Sequence, residues 1–394
     1  MRLSDVPRDG EERVPTGVGE LDRVLGGGLV PGSLVLIGGE PGIGKSTLVM
    51  QALAHLSAAQ RVLLVTGEES PRQVRSRAAR LTGDCGAVEV AAETRLQSVV
   101  ALIESGDYAV CAVDSVQTLS SDALDGAPGT VGQIREAAAE LLRAAKSTGV
   151  TVLLVGQVTK DGALAGPRLL EHLVDCVVSF DGEDGRTHRV LRATKNRFGS
   201  TNEVGVLEMR HDGLVSVDDP TDVWLTAAGD RVGSCVFPVL EGSRALLVEI
   251  QALVGHTEIV PPRRVAVGVD RTRLAQVIAI LSRHAGLRLG DQDVFVSVAG
   301  GARALEPAAD LAIALAVASA HRGRPLGAGT VAFGELGLTG DLRLVAGAER
   351  RLHAASEKGL KCGIIPGGER ERREVALGGA VGVGAIRAAL EAAF

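Results

Sequence analysis

The chain has 394 residues, 45% of them hydrophobic and 23% charged, with a net charge of −6. That length exceeds what one hydrophobic core usually organises, so two domains are expected, and the negative balance excludes nucleic-acid binding through overall charge, leaving only a local basic surface for it. Aromatics at 2% leave Leu, Val, Ile and Ala to build the cores, which favours α/β domains over a β-sandwich.

No apolar run reaches the roughly 18 residues a membrane span requires, and the opening MRLSDVPRDGEER is too charged for a signal peptide. A cytoplasmic chain without a membrane partner is expected. Cys85, Cys111, Cys176, Cys235 and Cys362 are scattered, several inside apolar runs, so they read as core thiols, not as a metal site or disulfide framework.

In chain order, an apolar strand SLVLIGG leads into GEPGIGKST, residues Gly39, Glu40, Pro41, Gly42, Ile43, Gly44, Lys45, Ser46 and Thr47, and then into the helix-compatible LVMQALAHL. This is the P-loop pattern G-x-x-x-x-G-K-S/T in the strand–loop–helix context it requires. The glycines let backbone N–H groups face inward around a phosphate at the positive end of the next helix. Lys45 adds a charge for the β- and γ-phosphates, and Ser46 a hydroxyl suited to Mg²⁺. The expected ligands are ATP and Mg²⁺.

From Val14 to about Val217, short β-branched runs alternate with amphipathic stretches, the rhythm of a parallel sheet with crossover helices. Strands are expected at Leu34–Gly38, Val62–Thr66, Ala109–Asp114, Thr151–Gly156, Cys176–Asp181 and His188–Thr194. The strand ending at Asp114 supplies a Walker B carboxylate for Mg²⁺, and it is followed by Ser115 instead of the Glu that AAA+ ATPases place there. The water-orienting base is therefore sought after the strand RVLLVTG, where Glu68 leads and Glu69 competes, although acidic pairs also cap helices. Gln157 at the end of TVLLVGQ is either a γ-phosphate sensor or a polar strand terminus. The polar, glycine-rich SSDALDGAPGTVGQIRE and the segment 159–167 with Lys160 read as mobile loops.

The segment HDGLVSVDDPTDVWLTAAGDRVGS loses the rhythm and reads as a connector. Beyond it, RALLVEIQALV, a helix over Thr272–Gly286, the strand DVFVSVAG, an Ala-rich helix from Pro307, GELGLTGDLR and CGIIPGG suggest a smaller α+β domain. The expected division is 1–217, a linker 218–235, and 236–394. Arg263, Arg264, Arg271 and Arg273 concentrate in PPRRVAVGVDRTR, a basic patch that DNA binding and plain solvent exposure explain equally well.

Together PTGVGELDRVLGGG, the P-loop, VTGEES and VDSVQTL resemble the RecA-like ATPases; with GQVTKDGALAGPRLLEHLVDCVV and KNRFG (Lys195 to Gly199), nearly the whole chain resembles the RadA (Sms) family of bacterial DNA-repair ATPases. The resemblance implies a RecA-like P-loop ATPase domain followed by an α+β Lon-protease-like domain. It implies a DNA-dependent ATPase of homologous recombination and repair, a homo-hexameric ring on single-stranded DNA that drives branch migration beside a RecA-type recombinase. An ATP-controlled clamp without motor activity is the alternative. Lys195 and Arg197 become candidate catalytic cations reaching across a subunit interface, beside Lys45 and Glu68. Lys160, Arg186 and Arg189 become candidate DNA contacts, with Arg192 on the same positive surface, and the two loops correspond to the DNA-contacting loops of RecA-like rings. A Lon-type protease is the less favoured reading, because EPAAD places Ala308 where the nucleophilic Ser belongs and AGAERRL places Glu349 where the Lys belongs. The family's four-cysteine zinc finger is not expected, as no Cys precedes Cys85.

Overall fold

The structure is a computed structural model describing residues 13–394 except 106, 158–169, 183–186, 218, 220, 222–224, 226–230, 258, 300–301, 361 and 368–379. Contacts divide the chain into two compact units, Met1–Asp218 and Asp219–Phe394. Among the described residues no helix is long and apolar enough to cross a membrane.

The first unit alternates α1 (Gly19–Leu25), β1 (Leu34–Gly39), α2 (Lys45–Leu56), β2 (Val62–Thr66), α3 (Pro71–Ala78), β3 (Glu89–Ala92), α4 (Leu96–Glu104), β4 (Val110–Asp114), α5 (Val131–Thr148) and β5 (Thr151–Gln157). It closes with β6 (Cys176–Asp181), β7 (His188–Asn196), β8 (Val204–Arg210) and β9 (Gly213–Ser216). The strands form one sheet in the order β3-β2-β4-β5-β1-β6-β7-β8-β9. Strands β1 to β6 pair in parallel and the last three add antiparallel. That meander departs from the all-parallel rhythm expected of the segment, because β6 to β9 are joined by short connections with no room for a crossover helix.

Both faces of the parallel part are covered. Along β1, Val35 and Ile37 pack into one core with Leu48, Leu53 and Leu21 of α2 and α1, while Leu34 and Leu36 pack into a second with Ile134, Leu141 and Ala145 of α5. The period-two alternation of the strand thus becomes two apolar layers, each fully buried Leu contributing about 1.5–3 kcal/mol. Helix ends follow local chemistry. Ser70 and Gln73 form a capping box with Pro71 in the first turn of α3, and Gly26 and Gly149 close α1 and α5 in the left-handed region.

One expectation for this unit is corrected. The polar stretch after Asp114 is not an unpacked loop to Glu136: Val131 onward is α5, and Gln133, buried in that helix, accepts from Ser121 N at 2.7 Å and donates to Leu124 O at 2.9 Å. One amide side chain satisfies the loop backbone that glycine and polarity seemed to leave to solvent.

The second unit contains β10 (Ser234–Glu241), β11 (Arg244–His256), β12 (Arg264–Val267), α6 (Arg271–His284), β13 (Gln292–Val298), α7 (Asp310–Arg322), β14 (Thr330–Ala332), β15 (Glu335–Leu336), β16 (Leu342–Arg343), α8 (Ala348–Glu357), β17 (Cys362–Pro366), β18 (Ala380–Val383) and α9 (Ile386–Ala393). Seven strands make a mixed sheet, β12-β13-β11-β10-β14-β17-β18, and β15 pairs with β16. Residues 310–319 of the Ala-rich α7 are all buried, because its small side chains let it lie against β10 and β11.

Candidate nucleotide site

The parallel strands deliver their carboxyl ends to one edge of the sheet, where open α/β sheets carry ligands. Gly39 at the end of β1 is level with Gln157 at the end of β5, and Thr66 of β2 with Asp114 of β4. The P-loop leaves β1 at this edge. Gly42 and Gly44 hold φ of 78° and 114°, and a Cβ on Gly39 would stand 2.4 Å from the Phe180 carbonyl oxygen, so two conformations and one close approach require glycine. Lys45, the first residue of α2, folds back across the loop and donates from Nζ to Gly39 O and Glu40 O, both at 2.8 Å. Burial draws its pKa below the ordinary lysine value, opposed by the charges of Asp114 and Glu68.

Opposite the loop, burial lifts Asp114 above the usual carboxylate range, while a hydrogen bond from Ser46 and the charges of Arg77 and Lys45 pull it back. A hydroxyl beside a carboxylate is the hard oxygen pair that Mg²⁺ accepts, with phosphate oxygens and water completing its shell. Among the described residues no cluster of three or more His, Cys, Asp or Glu could hold a metal ion.

Glu68 and Glu69 part company. Glu68 Oε1 accepts from Ser115 Oγ at 2.7 Å and from Gln157 Nε2 at 3.3 Å, which places it between β4 and β5 and close enough to Lys45 and Asp114 to influence both. Glu69 turns to Arg77 of α3 at 3.1 Å, its other oxygen buried without a hydrogen-bond partner. Gln117 donates to Gln157 O at 3.4 Å, and its own Oε1 is likewise buried and unpartnered. Sequence reasoning missed Ser115, noted only for not being Glu, and missed Arg77 and Gln117, for which no local signal exists.

Lys195 and Arg197 lie at the other edge of the sheet. Because β7 runs antiparallel to β6, Lys195 is level with Val177, and Arg197 N donates to Asp175 O beside the start of β1. Through Val177, Lys195 is level with Leu36, three steps or about 10 Å from Gly39, and Arg197 lies beside Leu34, five steps or about 17 Å from it, so neither cation adjoins the P-loop of its own chain.

Several residues expected to contact DNA have partners within the chain. Arg189 sits on the P-loop, its Nε donating to Ile43 O at 3.1 Å; Gly182 makes room, since a Cβ there would meet both Arg189 and Ile43 at 2.7 Å. Arg189 and Arg192 are three residues apart on one strand and point to opposite faces, so they do not share one surface. Arg273 directs two guanidinium nitrogens onto the buried Asp310, at 2.8 and 2.5 Å. Arg263 pairs with Asp293 at 2.6 Å, and Arg264 turns back onto the carbonyls of Leu289 and Gln292. The patch of four arginines is thus largely balanced within the unit, with Arg271 exposed at the start of α6. Lys160 and Arg186 lie outside the described residues.

In the second unit Ala308 is buried in the short 3₁₀ turn Pro307–Ala309 and offers no nucleophile. Beside this turn, Arg351 is 1% exposed, pairs with Glu306 at 2.5 Å, and lies 5.7 and 5.6 Å from the ring centres of Phe237 and Phe333. Glu349, exposed in the first turn of α8, is no substitute for a dyad lysine.

Two family models and several known proteins resemble this chain. A family model described as ATPase: KaiC matches residues 14–96, and one described as subunit ChlI of Mg-chelatase matches residues 248–369. The DNA repair protein RadA of Pseudomonas aeruginosa is 47% identical over 393 residues, covering 100% of this chain and 87% of its own. RadA of Escherichia coli is 47% identical over 368 residues, 93% of this chain and 80% of that one, and RadA of Bacillus subtilis 46% identical over 366, 92% and 80%. A crystal structure of the RadB recombinase aligns with 52% of this chain and 99% of its own at 20% identity and a TM-score of 0.42.

Proposed function

This chain belongs to the RadA family of DNA repair proteins, and from that premise we propose that it is a DNA-dependent ATPase that assembles as a hexameric ring on single-stranded DNA and drives branch migration. Its setting is the cytoplasm, beside a RecA-type recombinase. The observation that carries the reading is the carboxylate of Glu68, held by Ser115 and Gln157 next to the P-loop lysine and the Ser46–Asp114 pair. A base for water attack on a γ-phosphate needs that placement.

In this reading Gly39 to Thr47 cradle the triphosphate, Lys45 exchanges its two carbonyl partners for phosphate oxygens, and Glu68 orients and deprotonates the attacking water. Mg²⁺, held by Ser46 and Asp114 when bound, would offset charge on the β- and γ-phosphates. Gln157 links Glu68 to the segment that follows β5. Lys195 and Arg197 complete the pocket of a neighbouring protomer, which fits their positions three and five strand steps from the end of β1 that carries their own P-loop. The basic residues expected to meet DNA are then Lys160, Arg186 and Arg271, with Arg263 and Arg264 contributing only where DNA displaces their present partners.

ATP turnover measured against single-stranded DNA concentration, for the intact chain and for Lys45→Ala, tests the reading together with strand displacement on a branched substrate. DNA should raise turnover of the intact chain, and Lys45→Ala should abolish it. Equal rates for the two proteins would refute the assignment of the engine, and DNA binding without displacement would identify a clamp.

A further inference from the structure

We infer that a cavity on one face of the second unit's sheet is a docking site for a partner protein, taking a lysine or arginine side chain flanked by apolar residues, with Glu249 as its counter-ion. The inference is independent of the nucleotide site and starts from a buried carboxylate that lacks a cation.

Four strands build this face. Their register sets Val267, Ser297, Gln251 and Ser234 in one row across β12, β13, β11 and β10, and Val265, Phe295 and Leu253 in the next. Glu249 precedes Gln251 by two residues on β11 and so shares the face. Helix α8 covers it as far as Val236 and Leu247, on which Ala355 packs. Beyond them lies a cavity of about 400 Å³, within the size range of ligand sites, lined by Glu249 and by both rows. Glu249 is 2% exposed, and Ser234 Oγ donates to its Oε1 at 2.5 Å. Among the described residues the carboxylate has no other hydrogen bond and no ion pair. Arg231 also lines the cavity but is exposed and pairs with no acid. A carboxylate buried against a single hydroxyl carries an uncompensated desolvation penalty, which a cation entering the cavity offsets.

The walls decide which cation. Leu253 is 65% and Val267 51% exposed, with Val232 and Val265 beside them, an apolar strip that a bare metal ion would leave in water. The aliphatic stem of a lysine or arginine lies along such a surface while its head reaches a carboxylate. Apolar neighbours on the same segment then cover the valines and Leu253, which a free amine is too small to do. An anionic ligand, nucleic-acid phosphate included, would meet Glu249 as a like charge. Charge and shape together therefore fit a basic residue between apolar ones, presented on the surface of another protein.

The test titrates the full chain by calorimetry with two tripeptides, acetyl-Val-Lys-Val-amide and its norleucine counterpart, which keeps the butyl stem without the ammonium. The lysine peptide should bind at least about tenfold more tightly. Glu249→Gln keeps the shape and a partner for Ser234; it should erase that difference without lowering the temperature of thermal unfolding, because an unpaired charge leaves the interior. Leu253→Ser should weaken both peptides, and Arg231→Ala should leave lysine-peptide binding unchanged or strengthen it by removing a like charge. Equal affinities of the two peptides, or no binding of the lysine peptide up to about 10 mM, would overturn the inference. So would n-butylammonium binding as tightly as the peptide, which marks a pocket for free amines, or a Glu249→Gln chain that unfolds at a clearly lower temperature, which marks a structural carboxylate. Dissociation of the assembly by Leu253→Ser on gel filtration would also overturn it, by making this face a contact between copies of the chain.

Discussion

Replacing Ser115 by Ala removes one of the two donors that hold Glu68 while leaving the Gln157 contact in place. A hydrogen bond to a charged acceptor is worth about 1.5–3 kcal/mol, but Glu68 is exposed, so the lower end applies. At roughly 1.4 kcal/mol per decade that corresponds to about a tenfold loss. The hydroxyl orients the base and touches no nucleotide in this reading, so the loss should fall on kcat and leave KM for ATP unchanged. Glu68→Gln, which removes the proton acceptor itself, should cost on the order of 10²- to 10⁴-fold. With the base gone its holder is idle, and adding Ser115→Ala to Glu68→Gln should change little. Steady-state turnover at saturating DNA measures all three. A tenfold decrease on top of Glu68→Gln, or a Ser115→Ala protein that turns over normally, would refute the assignment of Ser115 as the support of Glu68.

Arg351→Met leaves the Glu306 carboxylate without its cation beside two aromatic rings and should destabilise the second unit by about 3 kcal/mol, since Glu306 keeps some access to water. Urea unfolding of that unit should show Arg351→Met/Glu306→Gln regaining part of the loss; an unchanged midpoint for the single variant would contradict the buried pair. Arg189→Met should weaken ATP and ADP binding about five- to tenfold through the freed Ile43 carbonyl while single-stranded DNA affinity stays constant, and calorimetry showing the reverse would return Arg189 to the DNA surface. Burial pushes the thiols of Cys111 and Cys176 up to about 12 and that of Cys235 higher still, so all three remain protonated at pH 8 and are shielded from reagent. A colorimetric thiol reagent should label only Cys85 and Cys362 until denaturant is added; rapid modification of a third thiol would show the core to be open.

What could be read from the sequence alone was whatever is contiguous. The P-loop is nine neighbouring residues whose glycines, lysine and hydroxyl act through backbone geometry that the same stretch creates, and the parallel strands announce themselves by apolar runs of five or six. The absence of a nucleophile at Ala308 is likewise a one-residue observation. The tertiary structure decided every pairing between distant segments. Glu68 and Glu69 differ in their partners because Ser115, just past β4, and Gln157, at the end of β5, come to one carboxylate and Arg77 to the other. Arg189, Arg263 and Arg273 look like free cations in one dimension, yet Ile43 O, Asp293 and Asp310, between 30 and 146 residues away, take them up. Composition counts charges without saying which will be neutralised, because an ion pair depends on a few ångströms of separation that only the packed sheet and helices set.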